Sequence, residues 1–312
     1  MTGELRTIVV GLGIQGVKRR KVAGPEAVAS VDPVRPKADY KRVQDVPLAR
    51  YDAALVCTPD GVKVELLEHL LGHGKHVLVE KPLVADEAAL LHLRGLAAEH
   101  GAVCYTAYNH RFEPHFVRMR DWIASGEAGR LYRLRMFYGN GTAREVRGSP
   151  WRDQGAGVLP DLGSHLLDTV AFWLGRPPAP FEVREAHRFE NAAFDHVVLF
   201  SAGPPVIELE MSLLSWRNHF TADLFAERGS AHIESLCKWG PASFCTRTRV
   251  LPSGRPPEER ITLAQDDPTW ALEWAHFKQL CREGRGGNID NDLWLNRALC
   301  RLAEDAQEDH PA

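Results

Sequence analysis

The sequence predicts an α/β protein: a doubly wound parallel sheet followed by an α+β domain with a large, open, mostly antiparallel sheet. Three observations carry this. Short apolar runs alternate with helical patterns as far as Tyr105. A glycine-rich turn, Gly11-Leu12-Gly13-Ile14-Gln15-Gly16, leads from the first apolar run into a helix. After residue 108 the alternation stops and strand patterns predominate. Repeated β-α-β units imply parallel strands, whereas runs of strands imply antiparallel ones. A chain of 312 residues suits two domains, placed here at 1–108 and 109–312.

Leu5 to Val10 reads as a buried strand, rich in β-branched residues. In the turn that follows, Gly11 permits the bend, Gly13 lets backbone approach a pyrophosphate, and Gly16 lets helix pack on strand. Ile14 and Gln15 then open a helix whose free N–H groups suit phosphate. A second strand, Ala27 to Val31, ends at Asp32, which lies 21 residues after Gly11. An acidic side chain at that distance accepts the ribose hydroxyls of an adenosine. Asp32 favours NAD over NADP; Arg35 and Lys37, close behind, leave NADP possible. The run Lys18-Arg19-Arg20-Lys21 reads as a solvated helix face rather than a phosphate clamp. Ala53 to Cys57 is the third strand, ending at Thr58-Pro59, and Val62 to Leu71 a helix. His76 to Val79 is the fourth strand, ending at Glu80-Lys81-Pro82. Asp86 caps a helix that runs to His100, and Ala102 to Tyr105 is the last strand of the series. Ligands of such sheets bind beyond the carboxyl ends of the strands, where Gly11, Asp32, Thr58 and Glu80-Lys81-Pro82 all fall. A lysine at a turn is ordinarily a surface lysine. Lys81, pinned between a carboxylate and a proline that could be cis, could instead stabilise an alkoxide.

Composition narrows the partners. The apolar content of 44% and charged content of 25% are those of a soluble globular chain. A net charge of −3 argues against nucleic acid and anionic membranes as partners. The six cysteines are scattered, with no C-x-x-C, so reduced thiols in a cytoplasmic protein are expected and a zinc or other metal site is not. No apolar run is long enough for a membrane span, and the basic run follows rather than precedes the first apolar stretch, the wrong order for a signal peptide.

In the second half, Glu113 to Ala124 is helical in pattern and Leu131 to Tyr138 alternates like a strand. Further strands are expected at Glu182 to Arg188, His196 to Phe200, Val206 to Leu214, Phe220 to Ala226 and Ala231 to Ser235. Terminal helices follow at Trp270 to Cys281 and Asp292 to Asp305. Between them lies Asp161-Leu162-Gly163-Ser164-His165-Leu166-Leu167-Asp168, read as a helix starting at Pro160. Helical spacing would put Asp161, His165 and Asp168 on one face, with Leu162, Leu166, Val170, Trp173 and Leu174 in the core. A carboxylate beside a histidine can hold it as a proton acceptor, although a capped core helix with an incidental histidine shows the same pattern. Tyr138, Asn140, Trp216, Asn218, Lys238 and Trp239 are candidate contacts for a sugar-like substrate, each also compatible with a core or interface role.

With these stretches in order, the chain resembles the Gfo/Idh/MocA family of NAD(P)-dependent oxidoreductases. The matching residues are Gly11 to Gly16, Gly74 to Leu83, Asn109-His110-Arg111-Phe112-Glu113-Pro114, Trp151-Arg152, and Gly157 to Asp168. The resemblance implies an N-terminal Rossmann domain and a C-terminal domain for substrate binding and oligomerisation. It implies that Lys81, Asp161 and His165 flank a substrate hydroxyl, with His165 as acid/base and Lys81 as an electrostatic group. Asp161 would orient His165. It places Glu80 at the nicotinamide ribose, Thr58 and Pro59 along the adenosine-to-pyrophosphate path, and Asn109, Trp151 and Arg152 near the cofactor. Two departures stand out: Lys63 sits where the family often has histidine, and the first helix is short. The implied reaction moves hydride between NAD (or NADP) and a hydroxyl-bearing carbon of a sugar, sugar nucleotide or cyclitol. The alternatives are a reductase of C=N or C=C bonds and a cofactor-sensing regulatory protein. A homodimer or homotetramer through the C-terminal sheet is the assembly the family suggests.

Overall fold

The computed structural model describes residues 4–150, 152–284 and 287–309. The chain divides into two compact units, residues 1–109 with 269–297, and residues 110–268 with 298–312. In the first unit, β1 (Thr7–Val10), β2 (Ala27–Val31), β3 (Ala53–Val56), β4 (His76–Glu80) and β5 (Cys104–Ala107) form a parallel sheet in the order β2-β1-β3-β4-β5. They are joined through α1 (Ile14–Ala23), α2 (Lys63–Gly72) and α3 (Glu87–Glu99). Asp86 caps α3 as expected, its Oδ1 accepting from the Ala89 amide at 2.7 Å. The strands are apolar on both faces because helices cover both. Ile8, Val10, Val56 and Val79 face Leu67, Leu70, Leu90 and Leu93 of α2 and α3. Val9, Leu55 and Leu78 face the other way, toward Ala23 of α1.

The second unit begins with α4 (Pro114–Ala124), followed by β6 (Leu131–Gly139) and the short α5 (Ala143–Arg147). A π-helical turn, Leu159–Gly163, then runs directly into α6 (Ser164–Leu174). The remaining strands are β7 (Glu182–His187), β8 (His196–Ser201), β9 (Val206–Ser212), β10 (His219–Ala226), β11 (Gly229–Glu234), β12 (Ala242–Thr248) and β13 (Glu258–Leu263). They form an eight-stranded sheet in the order β13-β12-β11-β10-β6-β9-β8-β7, antiparallel except where β6 pairs with β9. One face buries Leu134, Met136, Leu199, Leu209, Met211, Phe220 and Leu224. The other carries polar groups such as Arg133 and Arg135, both paired with Glu208. The last helices are α7 (Thr269–Glu283) and α8 (Ile289–Asp309).

The structure departs from the sequence expectations in three places. The division at residues 108 and 109 is crossed by the return of Thr269–Arg297 to the first unit. The reason is packing: Trp274, Phe277 and Cys281 of α7 cover the second face of the parallel sheet, which α1 alone is too short to close. The stretch after Pro160 opens with a π turn instead of regular α-helix, which alters the spacing assumed for Asp161 and His165. Strands β12 and β13 were not anticipated. Every residue of β13 before Leu263 is exposed, so it carries no alternating signal.

Candidate functional site

Pairing register lines up the strand ends of the first unit. Val10 pairs with Val31 and with Val56, and Val56 with Val79, so Gly11, Asp32, Cys57 and Glu80 form one row at the carboxyl edge. The chain order reverses about β1, which places the crevice for a ligand at this edge. Gly11 has φ of +90° and lies against the neighbouring strand; a Cβ there would sit 2.5 Å from the Cys57 carbonyl oxygen. A Cβ on Gly16 would meet the Gly11 carbonyl oxygen at 1.8 Å, so helix and turn are in contact through two glycines. Gly13 differs, since a Cβ there meets nothing within 4 Å. Its open side and the exposed first turn of α1, with Ile14 79% exposed, leave room for a pyrophosphate.

Asp32 is fixed as an anion. Its Oδ2 accepts from the Leu12 amide at 2.7 Å, and Oδ1 from Val34 and Arg35 at 2.9 and 2.8 Å. Burial would raise this carboxyl, but the amides of Arg35, Leu12 and Val34 outweigh it and hold the group below the usual carboxylate range. These residues fit the adenosine and diphosphate of a dinucleotide. Thr58 follows β3 and touches the space a Gly11 side chain would take, with Pro59 next to it. Asn109, beyond β5, donates from Nδ2 to Thr269 Oγ1 at 2.8 Å, which fixes its amide.

Glu80 ends β4, and the Lys81–Pro82 peptide is cis. Glu80 Oε1 accepts from Arg19 Nε at 2.6 Å. Arg19 corrects the expectation of a solvated basic run. Lys18, Arg20 and Lys21 are exposed, but Arg19 is buried against Glu80 and the fully buried Glu273, 4.2 Å over the Trp270 ring. Lys63, which the sequence showed only as a departure, is buried as well: its ammonium donates to the carbonyls of Glu80 and Pro82.

The second unit gathers a separate cluster. His165, in the first turn of α6, stacks on His110 with ring centroids 4.0 Å apart and planes at 19°. Tyr138, near the end of β6, meets His165 edge-on at 5.9 Å and His110 at 5.5 Å. The turn Cys237–Trp239 adds Lys238, whose Nζ lies 3.4 Å from both His110 Nε2 and the Tyr138 hydroxyl and 4.8 Å from the Trp239 ring centroid. That turn is held by buried Glu113, which accepts from the Cys237 amide at 3.1 Å and from its Sγ at 2.9 Å. Burial pushes the Glu113 carboxyl up against these bonds. Crowding by the cluster lowers the pKa of Lys238 against the pull of Asp267 and Glu113, although the residue keeps an exposed surface. The result is a wall of aromatic faces edged by a phenol, two imidazoles and an ammonium, chemistry suited to the C–H face and hydroxyls of a polyol.

Of the three residues expected on one face, the π turn changes the step from Asp161 to His165, while His165 and Asp168 keep helical spacing within α6. Asp161 stays half-exposed, with Arg152 Nη2 at 3.8 Å, which keeps that pair together. Asp168 is 1% exposed and receives a forked pair of bonds from Arg111, at 2.9 Å to Oδ2 and 2.6 Å to Oδ1. Arg111 thus holds the Asp168 carboxylate through both of its oxygens. Among the other candidates, Trp216 is 71% exposed, and Asn140 Oδ1 accepts from its own loop at Thr142. Trp151 lies outside the described residues. His110, Arg111 and Glu113 carried the family resemblance without a role of their own. Their signal was the density of ionisable side chains in a stretch entering a helix, which does not say what each will touch.

Residues 6–108 match the profile of the GFO/IDH/MocA oxidoreductase family, NAD-binding Rossmann fold, and residues 116–232 match the C-terminal domain of the same family. The chain belongs to this family. Among curated relatives, it is 26% identical over 149 residues to an inositol 2-dehydrogenase of Rhizobium meliloti, spanning 47% of this chain and 44% of that one. It is 30% identical over 131 residues to an NADP(+)-dependent scyllo-inositol 2-dehydrogenase of Bacillus subtilis, spanning 41% of this chain and 36% of that one. The match thus covers less than half the length of either relative. A solved inositol dehydrogenase homologue of Azotobacter vinelandii, complexed with NADH and myo-inositol, is similar with a TM-score of 0.81 at 17% identity, over 99% of this chain and 97% of that one. At that identity the likeness speaks for the fold. Among the described residues no helix of this family member is long and apolar enough to cross a membrane.

Proposed function

We propose that the chain is an NAD-dependent oxidoreductase acting on a hydroxyl-bearing carbon of a cyclitol or sugar. The observation that carries this reading is the carboxyl-edge row of the first unit, with Asp32 held as an anion beside an open glycine turn. A bound nicotinamide would supply the hydride acceptor. The remaining work falls to this chain's side chains. Asp32 accepts the ribose hydroxyls and disfavours a 2′-phosphate by charge, which selects NAD over NADP. Lys81 stabilises negative charge as it develops on the substrate oxygen. His165 takes the hydroxyl proton, and Asp161 with Arg152 sets the polar surroundings of that imidazole. Tyr138 and Lys238 offer hydrogen bonds to neighbouring substrate oxygens. The relatives named as inositol dehydrogenases support a ring alcohol as substrate.

The test is calorimetric titration with NAD+ and NADP+, followed by a panel of alcohols that includes myo-inositol and D-glucose. NAD+ should bind more tightly than NADP+. Asp32→Ala should weaken NAD+ by about 10- to 150-fold, the value of a charged hydrogen bond. His165→Ala should lower turnover of the accepted alcohol by about 10²- to 10⁴-fold while NAD+ still binds. Folded protein that binds neither nucleotide would sink the reading and bring a partner-binding role forward. NAD+ binding without turnover of any alcohol would point to reduction of a C=N or C=C bond, and alcohol turnover that is insensitive to His165 would remove its acid/base role.

A further inference from the structure

Lys63 occupies the first position of α2 and is 2% exposed. A buried ammonium is costly unless its charge and its three N–H donors are met. Here all three donors have an acceptor at 2.7 Å: the Glu80 carbonyl, the Pro82 carbonyl and Asp60 Oδ1. Two of the three are backbone carbonyls on either side of Lys81. Asp60 is 52% exposed, so the ion pair alone gives no reason for drawing a lysine into the interior. What the burial achieves is a bridge across the chain segment that carries Lys81. The same segment is held from the other side by Arg19, which bonds Glu80 Oε1 at 2.6 Å and is itself fixed by Glu273 at 2.7 Å. Glu80 is therefore gripped through both its carbonyl and its carboxylate.

We propose that Lys63 is a positioning residue for Lys81: it clamps the carbonyls of the residues before and after that lysine and so aims its ammonium. The proposal rests on the reading of Lys81 as the group that stabilises the forming alkoxide. A neutral imidazole, the side chain the family resemblance suggests at this place, has a single N–H and cannot span two carbonyls. Lysine brings three donors, which turns a departure from the family pattern into a stronger hold on the same turn.

The experiment compares Lys63→Met, Lys63→Gln and Asp60→Asn with the full-length parent. Gln keeps two donors without charge, Met keeps none, and Asp60→Asn leaves the bridge in place. Hydrogen–deuterium exchange of the protein without dinucleotide is read first. The peptide spanning residues 80–84 should exchange at least tenfold faster in Lys63→Met, less so in Lys63→Gln, and at the parental rate in Asp60→Asn. NAD+ affinity should stay within about threefold of the parent in all three. With the alcohol that the panel identifies, kcat should fall 10- to 100-fold in Lys63→Met with little change in KM. The same substitution introduced into Lys81→Met should cost less than twofold, because the two residues act as one unit. Equal losses with and without Lys81, or unaltered exchange at residues 80–84, would overturn the proposal. If Lys63→Met fails to fold, Lys63→Gln takes its place in the cycle, with the same two outcomes deciding for or against the clamp. Wild-type turnover by Lys81→Met would instead remove the catalytic reading of Lys81, and the positioning role with it.

Discussion

The two units build their polar clusters in opposite ways. In the first, each ligand group follows a strand of one parallel sheet, and register alone sets Gly11, Asp32, Cys57 and Glu80 side by side. In the second, His110, Tyr138, His165 and Lys238 come from a turn, a strand, a helix start and a second turn, which only tertiary packing brings together. A site made by register tolerates little change in backbone and much in side chains; a site made by packing has the reverse sensitivity. Glycines should therefore be the weak points of the first unit, and buried charges those of the second.

The sharpest contrast is between two glycines of one turn. Gly16→Ala drives a Cβ to 1.8 Å from the Gly11 carbonyl, so the turn must move or the unit must open. We expect NAD+ binding to fall by about 100-fold or more, with a clear drop in Tm, since a core overpacked by one methyl costs about 1–3 kcal/mol before any loss of contacts to ligand. Gly13→Ala meets nothing in the protein, so Tm should hold while NAD+ weakens. Equal effects of the two substitutions on Tm would break the idea that the space at Gly13 is kept for a ligand. The second unit should respond most to Asp168→Asn. It breaks the forked Arg111 pair and leaves a buried amide, at a cost of about 2–3 kcal/mol, below the full buried-pair value because Arg111 is 24% exposed. Urea unfolding checks it, and NAD+ affinity should be unchanged. The mildest effect is on acid stability. The Asp32 carboxyl lies below its ordinary value in the folded chain, so its contribution is complete above about pH 4 and is lost as pH falls through the folded pKa. The Tm difference between the parent and Asp32→Asn should be constant from neutral pH down to about pH 5 and shrink below about pH 4. A difference that grows on acidification would contradict the amide-held anion.

The same contrast explains what could be read in advance. The parallel sheet was legible because strand length, β-branching and glycine turns are local signals, and Asp32 was legible because its spacing from Gly11 counts one β-α-β unit. Tyr138 and His165 each lie on the element expected to carry them, a strand and a helix. Their meeting with His110 is made by tertiary packing, which no periodicity announces. Arg19 was misjudged, and the Arg111 partner of Asp168 went unseen, for one reason: a charge pattern reports where a side chain starts and not which distant partner buries it. Lys63 shows the limit most clearly, since two of its three acceptors are backbone carbonyls that leave no trace in residue identity.

The return of α7 to the parallel sheet has a consequence for how the chain is made. Val9, Leu55 and Leu78 are complete in sequence by the end of β4, yet Trp274 and Phe277, which cover them, emerge from the ribosome only after the whole antiparallel sheet has been translated. At about 5–20 residues per second the delay is on the order of ten to forty seconds. For that interval the nascent chain carries an apolar sheet face with only α1 upon it. A fragment ending before Thr269 would keep that face permanently, so the first unit is a product of the finished polypeptide and not of its first third.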